Sequence, residues 1–331
     1  MMTSASARQR WTEEDMRARL VRYADLVPGL NAFVDTRNPG SEAKENFTII
    51  GPGVAENPNA HVHIREPHGF NIGGARQPPG CINSQHSHET AEVFLVFSGH
   101  WRFTFGVEGT DAAIEVGPGT IGSVPTGMFR GFTNIGGAPG FLWVALGGDD
   151  PGRVMWAPSV FDMAARFGLH LLADGTLVDT LAGELLPDNA RMMPRTTAAD
   201  VQARPTPPAA QLSGCFVLPD AALPIDGPLS APGVEDSLVI GADGPLSWPH
   251  GFTLSRLRFH DAGMTGWHAH DETEALFCSE GQILVHWDAG ALALDAGDTL
   301  SVPFGLLRRF AGSGTLIVVR GGGDRLPAFS S

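Results

Sequence analysis

Apolar and polar positions along the chain fall into short blocks. Val93–Phe97 and Ala275–Phe277 are unbroken apolar runs closed by turn residues, the pattern of strands buried on both faces. Between such runs stand breakers with a mechanism: Gly-Pro-Gly at 117–119, Pro-Thr-Gly at 125–127 and Pro-Phe-Gly at 303–305, where Pro sets φ and Gly permits φ > 0. Helical patterning is confined to segments outside these blocks. Thr12 with Asp15 is a capping-box signal before the stripe Met16, Leu20, Tyr23, Val27, and Ser159 with Asp162 predicts a short helix closed by Gly168. The Ala-, Pro- and Gln-rich stretch from Ala198 to Leu212 reads as a linker. The pattern predicts an all-β protein of sandwich or barrel type with a few peripheral helices.

The blocks also repeat. Pro67–Phe70 and Pro249–Phe252 share the tetrapeptide PHGF, and each is followed, 18 residues after its His, by an HxH pair: His86/His88 and His268/His270. After three intervening residues comes a glutamate, Glu92 or Glu274, and then a glycine, Gly99 or Gly281. Further on, the segment from Gly119 aligns with the segment from Gly297, sharing Gly, Ser-Val-Pro, Gly, Arg and Phe. The chain is therefore read as a tandem duplication. The expected organisation is an N-terminal helix plus first barrel over 1–150, a helical connector and linker over 151–212, and a second barrel over 213–331.

Composition narrows the function. A total of 22 basic against 36 acidic residues gives a net charge of -14, which leaves no basic face for nucleic acid. No apolar run reaches the length of a membrane span, and the N-terminal stretch lacks the apolar centre of a signal peptide, so a soluble, cytoplasmic protein is expected. Cys81, Cys215 and Cys278 have no CxxC spacing and read as free buried thiols. Gly73-Gly74, Gly147-Gly148 and Gly321–Gly323 lack the strand-to-helix context of phosphate loops, which removes nucleotide binding. Only Lys44 is a lysine; every other basic residue is an arginine.

The repeated residues carry the candidate chemistry. His86, His88 and Glu92 share parity, as do His268, His270 and Glu274, so each set is expected to project to one side of a strand. Two imidazoles and a carboxylate form a facial metal set that suits Fe(II), with positions left for substrate and dioxygen; Mn, Ni or Zn also fit such a set. The bland alternative is that these are mutually bonded interior polar residues. His68 and His250 of the PHGF turns are weaker candidates for a fourth ligand.

At these residues the chain resembles the cupin superfamily. Gly80, His86, His88, Glu92 and Gly99 fit the first cupin motif, and Gly263 to Gly281 fits it with one residue fewer before His268. Gly119, Pro125, Gly127 and Asn134 fit the second motif, as do Gly297, Pro303 and Gly305 in part. The resemblance implies a bicupin of two jelly-roll barrels, with a layout similar to bacterial quercetin 2,3-dioxygenase-like bicupins and the homodimer common among cupins. It also implies a metal-dependent enzyme for a small, anionic or aromatic organic substrate, with dioxygenase-like oxidation ahead of isomerase or decarboxylase chemistry.

One departure stands out. Where the second motif places its last metal-binding histidine, this chain has Arg130 and Arg308, and a guanidinium has no lone pair to offer a metal. Three arrangements stay open. Arg faces the pocket and grips substrate while metal rests on His, His and Glu; or Arg130 bonds Glu92 and Arg308 bonds Glu274 in a metal-free polar core; or one barrel works and the other is scaffold. Glu92, Glu274, Arg130 and Arg308 are the residues on which catalysis is expected to turn.

Overall fold

A computed structural model of the chain describes residues 10–322 apart from positions 30, 58 and 205. Residues 1–9 of the N-terminal stretch and Gly323 of the glycine run lie outside the described residues. The apolar runs form strands as their patterning requires. Glu92–Ser98 is buried through its first five positions and sits inside a seven-stranded sheet, between Ile121–Val124 and Gly140–Gly147. That sheet runs Phe216–Val217, Ile121–Val124, Glu92–Ser98, Gly140–Gly147, Phe70–Gln77, Glu45–Ile50, Val62–Ile64. A five-stranded sheet, Val154–Trp156, Ile82–His88, Arg130–Asn134, Trp101–Phe105, Ala112–Val116, completes this barrel. Phe94, Val96, Trp101, Phe103, Phe132 and Leu142 from both sheets pack into one buried cluster, the core of a two-sheet jelly roll.

The second barrel is built from fewer, longer strands. Phe252–Met264, Glu274–Trp287 and Arg308–Gly321 run 13, 14 and 14 residues. Each is long enough to serve both walls only if it bends. The ladder between Glu274–Trp287 and Arg308–Gly321 slips between Cys278 and Glu280, and just beyond, Gly281 and Gly314 stand at φ 72° and 132°. A Cβ at Gly281 would run into the Ser313 carbonyl, so glycine is required at this bend. Leu276, Ile283, Val285, Leu292, Leu316 and Val318 form the core.

Compact units do not follow chain order. Among the described residues, one comprises 10–25, 224–237 and 255–320, and the other 26–223, 238–254 and 321–322. The N-terminal segment, placed by the sequence reading with the first barrel, thus belongs with the second: Leu20 and Val21 pair with Leu300 and Thr299 as an edge strand, and Met16 is fully buried in that core. The Thr12–Asp15 capping box forms, but its helix spans only Glu13–Arg17, because the apolar stripe continues as this edge strand. The second predicted helix begins at Pro158 rather than after Ser159: its N-cap is Ala157, and Pro at the first turn is preset for the helix. The linker stretch holds two short helices, Ala198–Gln202 and Ala209–Ser213. No described helix is long and apolar enough to cross a membrane.

Candidate metal centre

His86 and His88 end the strand Ile82–His88, and Glu92 opens the next one after a three-residue turn. Common parity on a single strand therefore does not explain their meeting; the turn folds the carboxylate back over the imidazoles. One ligand atom from each of the three lies within 4.8 Å of the others, and all three side chains are buried. They stand on the wall of a cavity of about 80 Å³. Asn46, Thr48, Asn71 and Asn83 add polarity to the wall, while Phe33, Phe94, Phe132, Leu146 and Trp156 give it an apolar side.

Each imidazole is prepared by its surroundings. His86 Nδ1 lies 2.7 Å from the Ser84 carbonyl, so Nδ1 carries the proton and Nε2 keeps its lone pair. His88 Nε2 lies 3.5 Å from Glu92 Oε1, and His88 Nδ1 is buried with no hydrogen-bond partner. Burial first, and the Arg130 charge second, hold both histidines well below the ordinary imidazole range, which leaves them neutral. Burial pushes Glu92 above the usual carboxylate range, against the pull of Arg130.

Arg130 starts the strand Arg130–Asn134 and pairs across from His86. Its Nη2 donates to Glu92 Oε2, and its Nη1 lies 3.4 Å from the carbonyls of His86 and Met128. It is therefore bonded to the glutamate and is not among the residues lining the cavity. Of the three arrangements left open above, the Arg-to-Glu contact is the one found. The donor set nevertheless fits a divalent metal, because Glu92 Oε1 is not taken by Arg130, the His86 Nε2 lone pair is free, and His88 has an unpartnered nitrogen.

The second barrel repeats the arrangement only in outline. Arg308 again pairs across from the first histidine, here His268, through an isolated bridge. His268 and His270 lie outside any extended strand, and burial holds His268 down to about 4. Arg308 Nη2 reaches Glu274 Oε1 at 2.6 Å, and Arg320 Nε donates to Glu274 Oε2 at 2.8 Å. Although burial alone would raise this carboxylate, the two arginines outweigh it and hold Glu274 down at about 2. His268, His270 and Glu274 do not form a ligand cluster like that of the first barrel among the described residues.

The weaker candidates resolve as structure. His250 Nε2 lies 2.7 Å from Ser123 Oγ, His68 Nδ1 lies 2.7 Å from the Glu66 carbonyl, and Gly69 and Gly251 take positive φ as the chain enters the strands that follow. Sequence reading missed a buried polar group behind the cavity wall. Lys44 Nζ pairs with Asp35, both side chains fully buried, and donates to Asn83 Oδ1 at 3.2 Å. Glu56 accepts from Trp156 Nε1 and from the Val34 N–H, each at 2.6 Å. Trp156 in turn packs 5.4 Å from His86, ring centre to ring centre. The solitary lysine was the one signal in the sequence that pointed here.

Two jelly-roll barrels, one with a buried His-His-Glu cluster beside a cavity, define the fold. Residues 74–179 match the family model described as Cupin. Among solved structures, oxalate decarboxylase from Bacillus subtilis is similar at 14% identity, TM-score 0.52, over 93% of this chain and 77% of that one. Vicilin from Corylus avellana (hazelnut) is similar at 12% identity, TM-score 0.53, over 92% and 86%. No curated protein matches the sequence. The first barrel thus carries a segment that matches the cupin family, and the chain as a whole shares the two-barrel fold of these structures.

Proposed function

We propose that the first barrel is the working site of a metal-dependent oxidoreductase that acts on a small organic substrate with dioxygen. One observation carries this reading: His86, His88 and Glu92 bring ligand atoms within 4.8 Å of one another on the wall of a cavity of about 80 Å³. Fe(II) is the metal proposed, because a two-His, one-carboxylate face suits it and leaves positions open. When bound, it would supply the template and the redox couple for substrate and dioxygen.

The chain's own residues set the conditions. The Ser84 carbonyl holds the proton on His86 Nδ1 and so aims the Nε2 lone pair at the metal position. Arg130 holds Glu92 Oε2, leaving Oε1 as ligand or proton acceptor. Phe33, Phe132, Leu146 and Trp156 present an apolar side to this small space, which favours a substrate with an apolar or aromatic body. Among the described residues no lysine or arginine lines the cavity, so an anionic group on the substrate would be answered by the metal rather than by a guanidinium.

The test is made on protein purified without affinity-tag metal, loaded with Fe(II), and offered small aromatic and aliphatic acids and diketones. Substrate-dependent oxygen uptake, abolished in His86→Ala, is expected. Carbon dioxide release without oxygen uptake would replace the oxidase reading with a lyase. Metal content near zero, unrestored by Fe(II), Mn(II), Ni(II) or Zn(II), would remove the metalloenzyme reading altogether.

A further inference from the structure

The two barrels carry the same His-His-Glu residues but differ at one ladder position. In the first, Glu92 pairs with Val124 on one side and Leu146 on the other. In the second, Glu274 pairs with Val302 on one side and Arg320 on the other. The matching valines confirm the register, so Arg320 occupies the place that Leu146 holds in the first barrel.

The consequence falls on the carboxylate. Glu92 spends Oε2 on Arg130 and keeps Oε1 turned to His88, while Leu146 beside it is an apolar part of the cavity wall. Glu274 spends Oε1 on Arg308, through Nε at 3.1 Å and Nη2 at 2.6 Å, and Oε2 on Arg320 at 2.8 Å. Both of its oxygens are taken. Two guanidinium charges against one carboxylate also leave a net positive charge where a dication would have to sit. The imidazole half remains ready, because His268 Nδ1 lies 2.9 Å from the Gly266 carbonyl and the Nε2 atoms of His268 and His270 are buried without partners. Only the carboxylate ligand is missing.

We infer that the second barrel is not a metal centre and that Arg320 is the residue that makes it so, by occupying the oxygen of Glu274 that Arg308 leaves free. This deepens the reading above by assigning metal to one barrel, yet its test is separable. The measurement is the number of Mn(II) ions bound per chain, by titration with electron paramagnetic resonance of the free ion and by elemental analysis after gel filtration. Arg320→Leu, which copies the first barrel, is expected to add one ion per chain relative to wild type, and His268→Ala in that background is expected to remove it. Arg320→Gln, similar in length and uncharged, repeats the test should the leucine variant fail to fold.

The increment decides this inference, and the wild-type total decides the first-barrel reading. A change from one ion to two supports both. A change from zero to one supports the role of Arg320 and overturns the first-barrel metal. Two ions in wild type overturn the inference, as does an unchanged count in both folded Arg320 variants.

Discussion

Glu56 shows how a single buried carboxylate ties the cavity wall together. Its two oxygens hold Trp156 Nε1 and the Val34 N–H, and burial raises it to about 8 even though those donors favour the anion. A folded-state pKa above the unfolded value means that the native state binds the extra proton. The stability this group contributes is complete below about 4.5 and is lost as pH rises to about 8. Glu56→Gln removes that dependence: its unfolding free energy relative to wild type should rise by about 4 kcal/mol between pH 4.5 and pH 8, measured by urea unfolding. A flat difference would show that Glu56 ionises freely in the fold. Arg130 gives a second test. Arg130→Met strands Glu92 in a buried site and should cost about 3–5 kcal/mol by the same measurement. Among these residues, the histidines, glutamates and arginines were visible in the sequence because two copies kept them in one spacing. Glu56, Asn83 and Trp156 were not, because only packing across three separate strands and loops brings them to His86.

At the level of elements, the short strand Leu20–Val21 matters more than its length suggests. It extends the second barrel's sheet beyond Thr299–Val302, and the helix before it inserts Met16 into the core; Arg22 pairs with Asp298 at 2.5 Å. Met16→Ala should therefore cost about 2–5 kcal/mol, read as a lower unfolding midpoint with unchanged slope. A cost near zero would mean that this segment is not held in the core. The strands themselves were legible, since apolar runs bounded by Pro and Gly leave few other choices. The N-terminal segment was misplaced because its stripe of Met16, Leu20 and Tyr23 fits helical spacing, and only the unpaired edge of a distant sheet turns it into a strand. The Ser159 signal failed for a local reason, as Pro158 already supplies the φ that starts a helix.

For the whole molecule, metal binding and folding are one equilibrium. A divalent ion that binds the native His86, His88 and Glu92 set, and not the unfolded chain, should stabilise it by about 2.7 kcal/mol at a hundred times its Kd. Calorimetry with and without Mn(II) should show the increase in wild type and none in His86→Ala. A shift of equal size in that variant would place the stabilising ion elsewhere.

The pairing of Lys44 with Asp35 bears on a different kind of experiment. The chain has one lysine, and its ammonium is sealed behind the cavity wall, over Phe33 and Trp156 at 5.5 and 5.8 Å. An amine-selective acylating reagent therefore finds no lysine to modify while the wall stays shut. Any label that accumulates at Lys44 in the native protein counts the moments when the wall parts, which makes this residue a built-in clock for the breathing of the candidate site.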